Sequence, residues 1–384
     1  ATRGLHHPPR FMFALAHQPA AGYTSDQQDR YAAWAVRFRM PLTEAHRATF
    51  DANAVLVDQL SAAHGPSAEF SVDESPFAHL SPQEFASARL KKMGPAATGA
   101  DRPALPGLQV PPASWDWRSR SPTVVTPVKD QGALGSCWAF SAVGNVEGQV
   151  SIAGGQPAEE LSVEQLLECD QTSGVRSVDG ERYGDCGAFG GWPFLAYEYW
   201  IKAGGVRAAA QMPYCSGVPF GERGSCDACM PEGYSKRLCG DHGDLWCNRS
   251  STRGQGLLGL CHSRAGTAAR LKGWRRVGSN ASAIAAELVA TGPLSIALDA
   301  TLAFQFYRRG VLDPPRSPLL GGCGRQPELN HAVLLVGYGT DKGKEYWTVK
   351  NSWGAKWGEE GYFRIKRGED KCGVESEVTT ASLA

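Results

Sequence analysis

The chain has 384 residues, and its 39 Lys and Arg balance 39 Asp and Glu, so the formal net charge is +0 and the pI is about 7.2. This length allows two or three compact units, since single domains usually hold roughly 100–200 residues. The balanced charge lacks the basic footprint of a nucleic-acid-binding protein. The longest early apolar run, Phe11 to Ala16, is too short for a membrane span or a signal segment. We therefore expect no nucleic-acid partner and no membrane span.

The cysteine count and two sequons indicate the environment of the protein. Eleven cysteines leave one thiol over if the other ten pair, as cysteines do in secreted proteins. Asn248 and Asn280 each stand in an Asn-X-Ser acceptor pattern for glycosylation. Together these features favour an oxidising, secretory environment over a cytosolic one, and we predict glycosylation at both asparagines.

The N-terminal part is predicted to be an extension followed by helices. Residues 1–28 form the extension, because the His, Pro, Ala and Gly at its start follow no period. Apolar residues recur at helical spacing from Asp29 to Leu60, where Pro41 interrupts the pattern and Thr43 is a suitable N-cap for a second helix. A further helix is predicted from Ser81 to Leu90.

The rest of the chain changes from helical to strand-like patterns. Gly94 to Pro112 holds Pro, Gly and Ala and is typical of an exposed linker that proteases cut. Helices are then predicted at 136–152, 161–169 and 192–202, and strands at 295–298, 332–336, 346–350 and 361–365. A helical half followed by a β-rich half predicts an α+β fold with two subdomains and a cleft between them.

A Gly- and Cys-rich insertion occupies about residues 215–261. It has too few apolar residues for a core, so we expect disulfides to hold it together. An alternative is a zinc site of four thiolates from Cys226, Cys229, Cys239 and Cys247. Their irregular spacing and the oxidising environment disfavour that alternative, and we expect neither a metal nor a cofactor.

A reactive thiol is predicted at Cys137. A thiol is a good nucleophile near neutral pH only when its thiolate is stabilised, and the first turn of the helix predicted at 136–152 offers the positive end of a helix dipole. Gly132 and Gly135 let the preceding backbone turn closely, which leaves amides free to face an oxyanion. Gln131 can add a side-chain donor at the same point.

The matching base is predicted at His331, one of nine histidines. It opens an apolar strand, and Asn351 can hold its ring by one N–H while the indole of Trp353 shields that bond from water. Taken singly, a His at a strand start is usually structural and a Cys at a helix start is usually buried and inert. Only their combination indicates catalysis.

Three motifs, taken in order, resemble those of one family. The stretch from Thr126 to Phe140, the triplet Asn330-His331-Ala332 and the run Asn351-Ser352-Trp353-Gly354 are similar to the active-site motifs of papain and the cathepsins. The resemblance begins at about Ser114 and reaches the C-terminus. It implies a papain-like fold, with a helical left subdomain and a β-barrel-like right subdomain. It also implies a cysteine endopeptidase that acts on peptides and proteins and is lysosomal, vacuolar or secreted.

The resemblance assigns a role to each catalytic residue. Cys137 becomes the nucleophile, His331 the general acid–base, Asn351 its orienting partner and Gln131 a donor to the oxyanion. A thiolate–imidazolium pair attacks a peptide carbonyl, the imidazolium protonates the leaving amine, and water releases the acyl-enzyme. Cystatin-type inhibitors are expected partners of such an enzyme.

Substrate binding is carried over from the family as well. Gly190 and Gly191 resemble a strand whose backbone pairs with extended substrate. Glu377 lies in a C-terminal run similar to that of cathepsin B, so we expect the main pocket to accept Arg as well as apolar side chains. The residues expected to bind substrate are Gly190, Gly191, Trp192, Pro193, Ala297, Asn330, Ala332, Trp353 and Glu377.

The cysteine pattern follows the family in part. It implies a disulfide between Cys323 and Cys372, whereas the partner of Cys169 stays open. The alternatives for that partner are Cys215, Cys226 and Cys229. The family's usual Cys three residues before the nucleophile is Leu134 here, and Ala188 stands where its partner is expected, although Cys186, two residues away, leaves another alignment open.

Residues 29–110 resemble the helical inhibitory propeptide and linker of the family's zymogens, which places the catalytic domain at 111–384. Several usual positions of the propeptide differ, and His79 stands where an acidic residue is common. We expect this propeptide to occupy the cleft and to be released near pH ~4–5 as carboxylates titrate. The mature form is expected to start between Gly99 and Ser114.

Two alternative functions compete with an endopeptidase. A catalytically silent homologue that only binds peptides is disfavoured, because all four catalytic side chains are present. A transglutaminase or another thiol acyltransferase shares the Cys and His chemistry, but the propeptide-like helices and peptide-cleft residues favour hydrolysis. Exopeptidase action is unsupported, because the adjacent His pair that caps the cleft of cathepsin B is absent.

Overall fold

The computed structural model describes residues 25–91, 93, 110–175, 182–219, 222–223, 225–242, 261, 266–317, 321–325 and 327–384. The chain divides into two compact units, Ala1–Leu42 and Thr43–Ala384. In the first unit the described residues contain helix α1 (Ser25–Phe38), where Tyr31 and Trp34 stack with ring centroids 5.9 Å apart. The remaining elements belong to the second unit.

The second unit contains the remaining described α-helices, and three of them begin at a side-chain cap. The helices are α2 (Glu44–His64), α3 (Pro82–Arg89), α4 (Cys137–Gly154), α5 (Glu164–Cys169), α6 (Pro193–Ala203), α7 (Lys236–Cys239), α8 (Ala281–Thr291) and α9 (Leu302–Phe306). The predicted N-cap at Thr43 is confirmed, since its side chain accepts a hydrogen bond from the backbone N–H of His46 at 3.1 Å. Ser81 and Glu84 form a capping box at the start of α3.

The strands form one large sheet and one hairpin-like pair. They are β1 (Ala68–Phe70), β2 (Trp115–Asp116), β3 (Ser173–Val175), β4 (Arg182–Gly184), β5 (Leu271–Val277), β6 (Leu294–Leu298), β7 (Tyr307–Leu312), β8 (His331–Asp341), β9 (Lys344–Lys350), β10 (Tyr362–Lys366) and β11 (Glu377–Leu383). The large sheet has the order β1-β7-β10-β9-β8-β6-β11-β5, with β2 paired to β8, while β3 pairs with β4. Strands β7 and β10 run parallel, and the other pairs are antiparallel. The four predicted strands all overlap strands of this sheet, and the α+β class is confirmed.

Helix α4 lies against the sheet at unusually short range. A Cβ atom at Gly144 would lie 2.8 Å from Leu334 Cδ2, and one at Gly148 would lie 2.7 Å from Pro293 Cδ, so a larger residue at either position would force a neighbour to shift. This close approach brings the first turn of α4, which carries Cys137, to the start of β8, which carries His331. The candidate site therefore lies where the helical and β-rich parts meet.

The segment from α2 to α3 also joins the sheet. Strand β1 adds to its edge by pairing with β7, and Glu69 of β1 forms ion pairs with Arg308 and Arg309 at 3.1 and 2.8 Å. The same segment leads through α3 to Lys91 and Met93, which lie at the candidate site. Among the described residues, no helix combines the length and the apolar character that crossing a membrane requires.

Candidate active site

Cys137 lies at the N-terminus of α4 and is almost fully buried, with 1% of its surface exposed. Its Sγ accepts a hydrogen bond from the backbone N–H of Ala332 at 3.5 Å. Burial raises the pKa of the thiol to about 11, which outweighs the opposing effects of the Ala332 N–H and of the positive charge of Lys91. In this covered state the thiol is protonated.

His331 opens β8 and has 0% of its surface exposed. Its Nε2–H donates to Oδ1 of Asn351 at 2.7 Å, and the ring stacks on Trp353 with centroids 4.6 Å apart. Burial lowers the pKa of the imidazole to about 4, and the charge of Arg89 lowers it as well, whereas the Asn351 hydrogen bond opposes the shift. The imidazole is therefore neutral at pH 7.

The free ring nitrogen of His331 is the atom suited to accept a proton. Nδ1 has no hydrogen-bond partner among the residues that the structure describes. Since Nε2 carries the hydrogen that Asn351 accepts, Nδ1 of the neutral ring is the acceptor. The backbone N–H of the next residue, Ala332, contacts Cys137 Sγ, so His331 and Cys137 belong to the same site. The geometry thus combines a thiol, an imidazole base and a fixed tautomer.

Gln131 is held beside the thiol by bonds at both ends of its amide. Its Oε1 accepts from the Ser352 hydroxyl at 2.7 Å, and its Nε2 donates to the Leu134 carbonyl at 2.6 Å. Nε2 also donates to the carbonyl of Arg89 at 3.3 Å. The donor predicted to face an oxyanion therefore faces a carbonyl oxygen of the preceding segment of the same chain.

Tyr214 was not identified from the sequence, although it supports the loop that carries Gln131. Its hydroxyl donates to the Gln131 carbonyl at 2.6 Å and lies 3.0 Å from Oγ of Ser136. Where the family's usual disulfide is absent, the Gly135 N–H donates to the carbonyl of Ala188 at 2.7 Å. Neither hydrogen bond corresponds to a recognisable spacing of residues in the sequence. The one available signal was an aromatic residue just before the Cys-rich insertion.

The predicted substrate strand leads from a 3-10 turn, Gly187–Phe189, into α6. The Gly190 carbonyl accepts from the backbone N–H of Cys186 at 2.8 Å, and the Trp192 N–H donates to Oδ1 of Asp185 at 2.7 Å. The Trp192 ring packs against Tyr183 with centroids 5.1 Å apart. Gly191 follows Gly190, and Pro193 is the buried first residue of α6.

The predicted specificity-pocket residues of the sheet lie side by side. Ala332 of β8 pairs with Ala297 of β6, which pairs with Glu377 of β11. All three are buried, and Glu377 is ion-paired with Arg276 of β5 at 2.9 Å. Met93 is buried in the apolar cluster that includes both alanines. An arginine is therefore already placed at the carboxylate that was expected to receive an arginine of the substrate.

The segment before the linker covers the site. The Lys91 N–H donates to the carbonyl of Asn330 at 3.0 Å, and the Met93 N–H donates to the carbonyl of Leu329 at 2.8 Å. The Asn330 side chain turns away, to Asp299 at 3.0 Å. An extended stretch of the chain thus occupies the backbone positions just before His331.

Aromatic contacts and one ion pair fasten this segment. Phe77 and Phe85 lie edge-on to the ring of Trp353, with centroids 5.8 and 5.2 Å away. The Arg89 guanidinium pairs with Asp130 at 2.7 Å and lies over the Phe77 ring at 4.6 Å. These contacts hold the segment over the indole that shields His331.

The disulfides correct one expectation. Cys169 pairs with Cys261 rather than with any of the three partners considered, because Cys215 and Cys226 pair with each other and Cys229 is also disulfide-bonded elsewhere. The other described bridges are Cys186–Cys239 and Cys323–Cys372, and Cys137 is the free cysteine among the described residues. A zinc site needs thiolates, which Cys226, Cys229 and Cys239 do not offer as disulfides.

The two predicted glycosylation sites differ in what the structure describes. Asn280 is exposed and caps α8, where its Oδ1 accepts from the backbone N–H groups of Ser282 and Ala283 at 2.9 and 3.2 Å. Its amide nitrogen is not used in the cap. Asn248 and Cys247 lie outside the described residues.

Comparisons with known proteins agree on one family. The family model "Papain family cysteine protease" matches residues 111–382. Cysteine proteinase 1 of Dictyostelium discoideum is 36% identical over 277 residues, which are 71% of this chain and 66% of that protein. Cathepsin F of Drosophila melanogaster is 32% identical over 344 residues, which are 87% of this chain and 46% of that protein. The chain thus belongs to the papain family of cysteine proteases, and it spans less than two thirds of the length of these two relatives.

A solved structure extends the likeness to the segment before the catalytic part. Digestive procathepsin L 3 of the Tenebrio molitor larval midgut has a TM-score of 0.67 and 26% sequence identity, and the match covers 94% of this chain and all of that one, at 100%. The prediction of a papain-like fold of two subdomains with a preceding helical segment is confirmed. The similarity of the C-terminal run to cathepsin B stays a prediction.

Proposed function

We propose that the chain is the self-inhibited precursor of a cysteine endopeptidase that hydrolyses peptide bonds with Cys137 and His331. The observation that carries the proposal is the buried pair of Cys137 and His331, in which the Ala332 N–H contacts Sγ, Nδ1 of His331 has no partner among the described residues, and Nε2 is held by Asn351 at 2.7 Å. Once the site is opened to water, the burial that keeps both groups neutral is relieved. The thiol proton can then pass to Nδ1, and the helix dipole of α4 stabilises the thiolate.

Hydrolysis follows from this ion pair. The Cys137 thiolate attacks the scissile carbonyl, and its oxyanion receives hydrogen bonds from the Gln131 amide and the backbone at the start of α4. The His331 imidazolium protonates the leaving amine. A water molecule, deprotonated by the same imidazole, then attacks the acyl-enzyme and releases the second product.

The domain boundaries belong to the same proposal. Residues 1–28 are an extension, 29–110 are the inhibitory propeptide and linker, and 111–384 are the catalytic domain with its insertion at about 215–261. The Arg89 carbonyl at Gln131 and the backbone pairing of Lys91 and Met93 support inhibition by occupancy of the cleft. Because these contacts cover an intact site, the segment blocks the cleft and is not a structural part of the catalytic site.

Location and partners are proposed from the family and the cysteine pattern. Extensive disulfide pairing and an exposed acceptor at Asn280 fit a lysosomal, vacuolar or secreted glycoprotein. The partners are peptide and protein substrates, the propeptide itself and inhibitors of the cystatin type. The proposed preference for Arg in the main pocket depends on whether Glu377 leaves its partner Arg276.

The proposal is tested by labelling and by peptide cleavage. A thiol-reactive epoxide should label Cys137 of the full chain only after incubation near pH ~4–5, when ordinary carboxyl groups titrate. Internally quenched peptides should then be cleaved within the chain, and the mature N-terminus should lie between Gly99 and Ser114. The matched control is Cys137→Ala, which should neither be labelled nor process itself.

Three results would contradict the proposal. Normal self-processing of Cys137→Ala would show that the thiol is not the nucleophile. Transfer of the acyl group to an added amine in preference to water would identify an acyltransferase. Peptide binding without cleavage, by a protein whose Cys137 the epoxide fails to label, would identify a silent homologue.

A further inference from the structure

Two buried aspartates lie beneath the substrate strand and take no part in the chemistry described above. Asp170 follows α5 and Asp185 follows β4, and their exposed fractions are 0% and 1%. Oδ1 of Asp170 accepts from the backbone N–H of Thr172 at 2.8 Å, and Oδ1 of Asp185 accepts from that of Trp192 at 2.7 Å. Each carboxyl group thus has one oxygen satisfied by the backbone.

The second oxygen of each group lacks a donor. Oδ2 of Asp170 and Oδ2 of Asp185 have no partner among the described residues, yet the two carboxyl groups lie within hydrogen-bonding reach of each other. Two carboxylates can only accept, and buried acceptors without a donor are rare in folded proteins. A single proton between the two groups supplies the missing donor and removes one of two buried like charges.

The electrostatic surroundings agree with one shared proton. Burial raises the pKa of both carboxyl groups, and the charge of Asp170 raises that of Asp185 further. Two titratable side chains of α6, Lys202 and Tyr199, interact with Asp170. Lys202 favours the ionised form of Asp170, which balances the single negative charge that the pair retains.

Asp185 connects this pair to the substrate strand. Besides the bond to the Trp192 N–H, Oδ1 of Asp185 would lie 2.6 Å from a Cβ atom at Gly191, so the carboxyl group touches the strand from below. The ring of Trp138 would lie 2.7 Å from the same Cβ atom. The strand at Gly191 is therefore packed against two buried groups, of which one can ionise.

We propose that Asp185 and Asp170 share one proton and that the protonated pair positions residues 190–192 for pairing with substrate. The inference rests on the proposed function, because that function assigns substrate to this strand. Asp185 is a positioning residue: it contacts the strand and not the reacting atoms. Loss of the proton as pH rises leaves two negative charges beside the strand, so substrate binding weakens while the Cys137 chemistry is unchanged.

Asp185→Asn removes the titratable proton and keeps the shape of the side chain. Its amide oxygen still accepts from Trp192 and its amide N–H still donates to Asp170, but it has no proton to lose. In the acid-activated full chain we expect the KM of the wild type to rise about tenfold as the pair ionises, the effect of one lost hydrogen bond and its repulsion. The KM of Asp185→Asn should stay within about twofold over the same pH range, with the kcat profile unchanged.

Matched variants identify the source of the effect. Asp227→Asn removes an exposed carboxylate, and its KM should rise with pH as the wild-type KM does. Asp185→Ala removes the acceptor for Trp192 and should raise KM at every pH. If Asp185→Asn does not fold, Asp170→Asn makes the same exchange on the other member of the pair. If KM of the asparagine variants rises with pH as the wild-type KM does, the proposal is overturned.

A spectroscopic measurement tests the proton without any substrate. The infrared difference between the wild-type and Asp185→Asn full chains should contain the carbonyl band of a buried protonated carboxylic acid, and this band should vanish at the pH where KM rises. An absent band overturns the shared proton. A band present in a protein that cleaves no peptide supports the shared proton and overturns the proposed function instead.

Discussion

His79 is expected to act as an acid-sensitive fastening of the propeptide. It lies between α2 and α3, with its ring centroid 5.1 Å from that of His46. Burial lowers its pKa from 6.5 to about 4, the charges of His46 and Arg89 lower it as well, and Glu84 opposes them. The folded segment therefore binds fewer protons than the unfolded one, so the fold that docks on the cleft loses stability as pH falls from 6.5 towards 4.

The size of the effect follows from the shift. A fall from 6.5 to about 4 corresponds to about 3.4 kcal/mol at 1.36 kcal/mol per pKa unit. Because His79 is only partly buried, solvent screening reduces this to about 1–2 kcal/mol, or roughly 5–30-fold in the released fraction. Carboxylates such as Glu84, whose pKa is lowered by Ser81, add their effect only below 4.5.

The assay compares self-processing of the wild-type and His79→Asn precursors between pH 7 and pH 4. The active-site chemistry is common to both, so the ratio of their rates reports docking, and the wild type should gain roughly 5–30-fold over the variant as pH falls. His46→Asn removes one repelling charge and should give an intermediate gain. A rate ratio that is independent of pH would refute the argument from His79.

Three further substitutions test the site in the activated enzyme, each with peptide substrates. Asn351→Ala removes the acceptor that fixes the His331 ring and should lower kcat/KM by at least ~10-fold, and a loss under about twofold would contradict that role. Tyr214→Phe should lower kcat about 5–10-fold with little change in KM, and an unchanged kcat would mean that its hydrogen bonds are not needed. Arg276→Ala should raise the preference for Arg over Leu about tenfold by releasing the Glu377 carboxylate, and an unchanged preference would remove Glu377 from the pocket.

Local signals in the sequence were enough for helices α1 to α6 and for four of the strands, but not for α7 to α9 or the remaining strands. Thr43 and Ser81 are of the residue types that commonly cap helices, and the helix that begins at Cys137 follows from the apolar spacing after it. Motif order placed His331 and Asn351 in one site, because three motifs constrain three separated parts of the chain together. These features are encoded in short stretches.

Several contacts between residues far apart in the chain could not be predicted from the sequence. Cys169 finds Cys261 across 92 residues, and nothing local distinguishes that partner from nearer ones. Tyr214 forms hydrogen bonds with Gln131 and Ser136 in the loop before α4. Asp170 lies beside Asp185 only because the segments after α5 and β4 fold against each other. The pairing of Glu377 with Arg276 depends in the same way on neighbouring strands far apart in the chain.

Strand β1 has a consequence for the lifetime of the mature protein. It completes the edge of the sheet beside β7, yet on the proposed maturation it is discarded with the propeptide. A processed molecule that unfolds must then rebuild its sheet without a strand that was present when it first folded. We expect its persistence to depend on how slowly it unfolds, so that activity lost in a harsh compartment is not recovered by refolding.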